Sequence, residues 1–178
     1  KPALSAAFCH RSFSVCEAIE RHGPAVLAGI PARFTSLLLG VSPLRHSDLS
    51  TLRLVTNTGG TIPKPVLSEM FQIFHQCQIV LNYGLTESYR TSYLPPADVR
   101  ERFRSIGKSI PGVEIVIVRD DGSLAKPSEI GEIVHRGDYL FMGYWNNPEA
   151  TARVLRPDPL APTGCPNPRP ALFTGDLG

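Results

Sequence analysis

Residues 52–87 read LRLVTNTGGTIPKPVLSEMFQIFHQCQIVLNYGLTE. Leu52–Thr56 is a short apolar run with the length and composition of a buried strand. Gly59–Gly60 then supplies a turn. Pro65 fits the first turn of a helix, where its missing N–H costs nothing, and Val66–Phe74 continues it. Gln78–Leu81 is a second apolar strand. Strand, turn, helix and strand within so few residues predict two parallel strands joined by a helical crossover.

The same alternation extends upstream. Ala3–Cys9 reads as a strand. Ser14 is expected to cap a helix, with Glu17 completing a capping box. That helix should run to about His22 and stop at Gly23–Pro24. Ala25–Ala28 is another strand, and Pro31 opens a helix over Ala32–Leu39 that Gly40 ends. The fold class is therefore α/β, a mainly parallel sheet with flanking helices, over residues 1–95.

The texture changes at Pro95–Pro96. Gly112–Val118 is β-branched and runs into Asp120-Asp121-Gly122, a hairpin signal. Glu129–His135 is a further strand. Residues 156–170 are proline-dense and read as a loop. Residues 96–178 thus predict a partial antiparallel, β-barrel-like subdomain.

Bulk properties narrow the classes. The chain has 178 residues, enough for one core and a small satellite. Its formal net charge is +2, with basic residues scattered, so neither nucleic acid nor an anionic membrane is expected as partner. No apolar run is long enough to span a bilayer. Cys9, Cys16, Cys77 and Cys165 form no C-x-x-C pair and no zinc spacing, which fits reduced thiols and a cytoplasmic setting. His10, His22, His46, His75 and His135 share no spacing and read as surface or core histidines.

Chemistry concentrates where predicted strands end. In open α/β sheets, ligands bind beyond the carboxyl ends of the strands. Asn82-Tyr83-Gly84-Leu85-Thr86-Glu87 follows such a strand. Tyr83 offers a flat face to a base, and Gly84 lets backbone come close to a ligand. Thr86 can donate to a phosphate oxygen. Glu87 can hold Mg²⁺, which takes hard oxygen ligands together with phosphates. Thr58-Gly59-Gly60-Thr61 ends the other strand, and Thr174-Gly175-Asp176 places a carboxylate that can accept from ribose hydroxyls. Each segment alone also reads as a plain turn. Gly131–Gly137 and Gly143–Thr151 read as structural punctuation.

Taken together and in this order, the segments resemble the adenylate-forming superfamily of acyl-CoA synthetases, luciferases and peptide-synthetase adenylation domains. The hallmark Tyr-Gly-x-Thr-Glu stands at Tyr83–Glu87, the Gly-Glu … Gly-Tyr-Trp-x-x-Pro-Glu-x-Thr segment at Gly131–Thr151, and Thr-Gly-Asp at Thr174–Asp176. Ile106–Gly112 is similar to the family's link between subdomains. The run Tyr83–Pro96 is most similar to AMP-forming acyl-CoA ligases associated with the exosortase system. The resemblance implies that Gly59, Gly60 and Thr61 border the adenine and acyl pocket, and that Asn82 and Tyr83 contact adenine. It implies Thr86 on the α-phosphate, Glu87 on Mg²⁺ and Asp176 on the ribose, with Thr86 and Glu87 as the catalytic pair. The implied reactants are ATP, a small carboxylic acid and coenzyme A, with AMP as product.

Thr56–Lys64 imitates the family's phosphate loop, but it lies too close to Tyr83, and Pro65 replaces the glycine expected after lysine. The resemblance therefore implies that the true phosphate loop and the mobile C-terminal domain belong to a longer polypeptide. The 178-residue piece is expected to be inactive alone and to self-associate through surfaces meant for the remainder. Leu85 stands where peptide-synthetase domains carry proline, which tilts against an amino-acid substrate. A fatty acyl-AMP ligase and a non-catalytic nucleotide-binding module are the other readings.

Overall fold

The computed structural model describes residues 3–5 and 12–178. The expected strand beyond Ser5, together with Cys9 and His10, lies outside the described residues. The chain forms two compact units, residues 1–83 with 93–108, and residues 84–92 with 109–178. The boundary expected at 95/96 is thus replaced by an exchange. The Tyr-Gly-x-Thr-Glu loop after Tyr83 belongs to the second unit, and the chain returns to the first for residues 93–108.

The first unit follows the sequence closely. Strands β1 (Ala3–Ser5), β2 (Val26–Gly29), β3 (Leu54–Asn57) and β4 (Gln78–Tyr83) pair in parallel. Short strands β5 (Ser92–Leu94) and β6 (Lys108–Ser109) extend the sheet in the order β1-β2-β3-β4-β5-β6. Sequence reading missed both, because two or three residues carry no period. Helices α1 (Ser12–His22), α2 (Pro31–Leu39) and α3 (Lys64–Ile73) are the crossovers.

One boundary is corrected. Helix α1 starts at Ser12, so Ser14 lies in its first turn rather than at its cap. The buried phase of Val15, Cys16 and Ile19 fixes where this helix lies. Gly23 ends it, its N–H donating to the Ile19 carbonyl at 2.8 Å. Helices α2 and α3 insert Phe34, Leu37, Leu38, Val66, Leu67 and Met70 into the same core as Leu27, Val55 and Ile79 of the sheet. Each large side chain so buried contributes about 1.5–3 kcal/mol.

The second unit is a four-stranded antiparallel sheet, as the hairpin signal at Asp120–Gly122 implied. Its order is β7 (Val113–Val118), β8 (Glu132–Gly137), β10 (Pro170–Leu177), β9 (Leu155–Pro157). Two short helices, α4 (Val99–Arg102) in the first unit and α5 (Pro148–Val154) in the second, complete the elements named here. The proline-dense stretch begins on edge strand β9 and ends on β10, and its loop lies between. An edge strand tolerates the donor that proline lacks. Arg136 grips Asp158 at the base of that loop through two bonds, Nε–Oδ1 at 2.6 Å and Nη2–Oδ2 at 2.8 Å, and also pairs with Glu114. This pairing holds the Asp158 carboxyl below its ordinary range and raises Arg136.

Phe34 is fully buried at the centre of the first unit. Phe34→Ala should lower the unfolding free energy by about 3–5 kcal/mol, read as a shift of the urea midpoint at unchanged slope.

Candidate nucleotide site

The first unit carries one group of the candidate residues, at the carboxyl ends of β3 and β4. Asn57 falls on the buried phase of β3 and is only 2% exposed. Its amide donates to the Gly60 carbonyl at 2.8 Å, and its carbonyl oxygen accepts from the Asn82 backbone N–H at 3.3 Å. The Asn82 side-chain amide donates in turn to the Asn57 carbonyl at 2.7 Å and to the Thr56 hydroxyl. Two strand ends and the glycine turn are thereby tied into one frame. Gly59 and Gly60 sit at φ 77° and 145°, exposed beyond the strand ends, with Thr61 beside them. Lys64 instead opens α3, so the stretch that imitates a phosphate loop ends as a helix start.

The structure places Gly59, Gly60 and Asn82 around one hydrogen-bonded frame. It adds Thr56 and Asn57, which sequence reading passed over. The missed signal was a polar residue on the buried phase of a strand. Tyr83 is half-buried at the end of β4.

The second unit carries the other candidate residues. A Cβ on Gly84 would lie 2.6 Å from the Tyr89 carbonyl oxygen and 2.8 Å from the Arg90 Cα, so the loop folds back on itself only with glycine there. Residues 85–88 make a turn closed by Ser88 N–H to Leu85 carbonyl at 3.2 Å. Thr86 is exposed on that turn, and Glu87 is half-buried. The loop is anchored by a buried polar relay. Ser88 and Thr91 hydroxyls lie 2.9 Å apart, Thr91 Oγ1 lies 3.0 Å from His135 Nδ1, and His135 Nε2 lies 2.7 Å from the Asp138 carbonyl. A carbonyl can only accept, so Nε2 carries the proton and Nδ1 accepts from Thr91. Burial pushes the His135 pKa down from 6.5. His135 is thus a core histidine, as its lack of motif suggested.

Glu87 is held twice by one loop. Its backbone carbonyl accepts from Phe141 N–H at 2.8 Å, and its Oε1 accepts from the Tyr144 hydroxyl. That bond raises the Tyr144 pKa from its ordinary value of 10.0. Tyr144 is a contact that sequence reading had treated as punctuation.

Thr174-Gly175-Asp176 lies inside β10, where pairing to β8 shifts register between Phe173 and Leu177. Such bulges re-aim side chains. Thr174 Oγ1 donates to the Ile133 carbonyl at 2.7 Å and accepts from Asp176 N–H at 3.1 Å. Glu132 accepts from Gly175 N–H at 2.9 Å. Asp176 is exposed.

Among the described residues no group of three or more His, Cys, Asp or Glu side chains could hold a metal ion. A single carboxylate such as Glu87 suits Mg²⁺ that arrives on a nucleotide, since such ions take one or two carboxylates plus phosphate and water oxygens.

Residues 4–145 match the AMP-binding enzyme family. The chain belongs to that family of adenylate-forming enzymes. It is 34% identical over 138 residues to a long-chain-fatty-acid–CoA ligase of Haemophilus influenzae, covering 78% of this chain and 24% of the relative. It is 32% identical over 162 residues to indoleacetate–CoA ligase of Aromatoleum aromaticum, covering 87% of this chain and 31% of the relative. The chain thus spans 24% and 31% of the length of these two curated relatives. Among solved structures, VinN superposes with TM-score 0.76 at 32% identity, covering 93% of this chain and 39% of VinN, which was also solved with L-aspartate.

The lowered pKa of His135 has a consequence for stability. The unfolded chain takes up a proton near pH 6.5 that the folded chain refuses, so stability rises with pH below that point and is level above it. Urea midpoints should fall between pH 7 and 5, by at most about 1.4 kcal/mol per pH unit from this group. His135→Gln, which cannot titrate, should lose this dependence.

Proposed function

We propose that the polypeptide carrying this chain is an AMP-forming acyl-CoA ligase. The observation that carries the reading is the pinned Thr86–Glu87 turn, supported by the similarity of the chain to acyl-CoA ligases.

In the proposed reaction a carboxylate oxygen attacks the α-phosphorus of MgATP. An acyl O–P bond forms, the α–β phosphoanhydride breaks, and pyrophosphate leaves. The coenzyme A thiolate then attacks the acyl carbon, forming the thioester and expelling AMP. Thr86 donates to an α-phosphate oxygen, and Glu87 binds the Mg²⁺ that enters with ATP. Both act where negative charge gathers in the transition state. Asp176 accepts from the ribose hydroxyls. Gly59, Gly60, Thr61, Asn82, Tyr83 and Gly84 make up the adenine side. Both Asn82 amide protons are used inside the frame, so adenine meets its carbonyl oxygen. A cytoplasmic setting, where ATP and coenzyme A are both at hand, is part of this reading.

The 178-residue chain alone is proposed to bind nucleotide weakly and to release no pyrophosphate. The subgroup associated with the exosortase system rests on residues 83–96. A second reading, adenylation of an amino acid, is favoured by VinN with L-aspartate and disfavoured by Leu85.

The test is ATP–pyrophosphate exchange with a panel of fatty, aryl and amino acids, using the native-length polypeptide purified from its source. Exchange with a fatty or aryl acid, and thioester formation with coenzyme A, is expected. Thr86→Ala should cut exchange by about 10²–10³. Exchange only with amino acids would favour the second reading, and none with any acid would overturn both. The 178-residue chain, assayed alongside, should be silent.

A further inference from the structure

The turn that presents Glu87 has a built support. Gly143–Thr151 follows β8 and leads into α5. Asn147 caps that helix, its Oδ1 accepting from Ala150 N–H at 3.0 Å, and Pro148 occupies the first turn. Thr151 reaches back from the helix. Its hydroxyl donates to the Asn147 carbonyl at 2.9 Å and accepts the Tyr144 N–H at 2.9 Å. Gly143 is at φ 131°, and a Cβ there would press on the Thr151 methyl at 2.9 Å. The Tyr144 backbone is therefore fixed from behind. Its ring packs edge-on to Phe141 with centroids 4.9 Å apart, and Phe141 N–H holds the Glu87 carbonyl. The Tyr144 hydroxyl then meets Glu87 Oε1.

We propose that Tyr144 is the positioning residue for Glu87. Its hydroxyl occupies one carboxylate oxygen and so presents the other to the metal of MgATP. This rests on the metal role proposed for Glu87. A carboxylate on a surface turn otherwise samples several rotamers, and each lost rotamer weakens a metal contact that needs one orientation. The glycine-tyrosine-tryptophan run through Thr151, which looks like mere punctuation in sequence, is in this light the mounting of a ligand 57 residues upstream of Tyr144.

The test uses the 178-residue chain with Mn²⁺ as a spectroscopic stand-in for Mg²⁺. Electron paramagnetic resonance titrations give Mn²⁺·ATP affinity, and calorimetry in EDTA gives metal-free ATP affinity, for wild type, Tyr144→Phe, Glu87→Gln and the double variant. Tyr144→Phe should weaken Mn²⁺·ATP binding by about tenfold and leave metal-free ATP binding unchanged. The double variant should be no weaker than Glu87→Gln alone, because both changes remove one arrangement. Unchanged Mn²⁺·ATP binding in Tyr144→Phe, or additive losses in the double variant, overturns the inference while leaving Glu87 as a metal ligand. A wild-type chain whose ATP binding gains nothing from Mn²⁺ overturns the metal role of Glu87 itself, and this inference with it. Should Tyr144→Phe fold poorly, Thr151→Val keeps the Tyr144 hydroxyl but removes the acceptor that holds the Tyr144 N–H. It should weaken Mn²⁺·ATP in the same direction, and wild-type affinity there overturns the inference.

Discussion

The side chain of Asn57 lies within the strand layer of the first unit, where an unpaired polar group would cost about 1–3 kcal/mol. It escapes that cost only by bonding Gly60 on one side and Asn82 on the other. The requirement ties the ends of two parallel strands to the glycine turn. Removing the amide would leave Gly60 and Asn82 without their partner and loosen the whole rim. The glycine turn and the end of β4 are thus set by a buried polar group, and the apolar core beneath supplies only the platform.

The same logic governs the second unit. His135 is enclosed and neutral, and its two ring nitrogens have distinct partners. Through Thr91 and Ser88 it fixes the end of the loop that begins at Gly84. Ser88, Thr91 and Ser92 are all buried, so this loop is built like a core segment even though Thr86 within it stays exposed. Under the proposed function, a rigid frame beneath this exposed turn would serve catalysis by positioning.

Much of this was legible in the sequence. The strand–helix alternation gave the parallel sheet because its periods are local. Asp120–Gly122 gave the antiparallel pair for the same reason. The segments at Gly59 and Tyr83 fall at the ends of β3 and β4, where the alternation put them, whereas Asp176 lies within β10. The finer points depended on distant partners. Asn57 looked like part of a polar loop until its burial was seen. Tyr144 and Glu87 share no local pattern. Thr174–Asp176 looked like a turn, and only the register against β8 shows a bulge. The cap at Ser14 failed because the local signal gave no weight to how Val15, Cys16 and Ile19 pack.

The Arg136–Asp158 fork has a consequence for how this chain can vary. Asp158 N–H also donates to the Arg169 carbonyl at 3.0 Å, and Pro157 pairs with Pro170. The proline-dense excursion therefore leaves and rejoins the sheet through a closed neck. Doubling the length of such an excursion adds only about 0.6 kcal/mol of closure entropy. Insertions can accumulate beyond the neck without altering the register of β10. The segment is a natural place for the polypeptide to acquire or shed residues while the carboxylate at Asp176 stays where the bulge puts it.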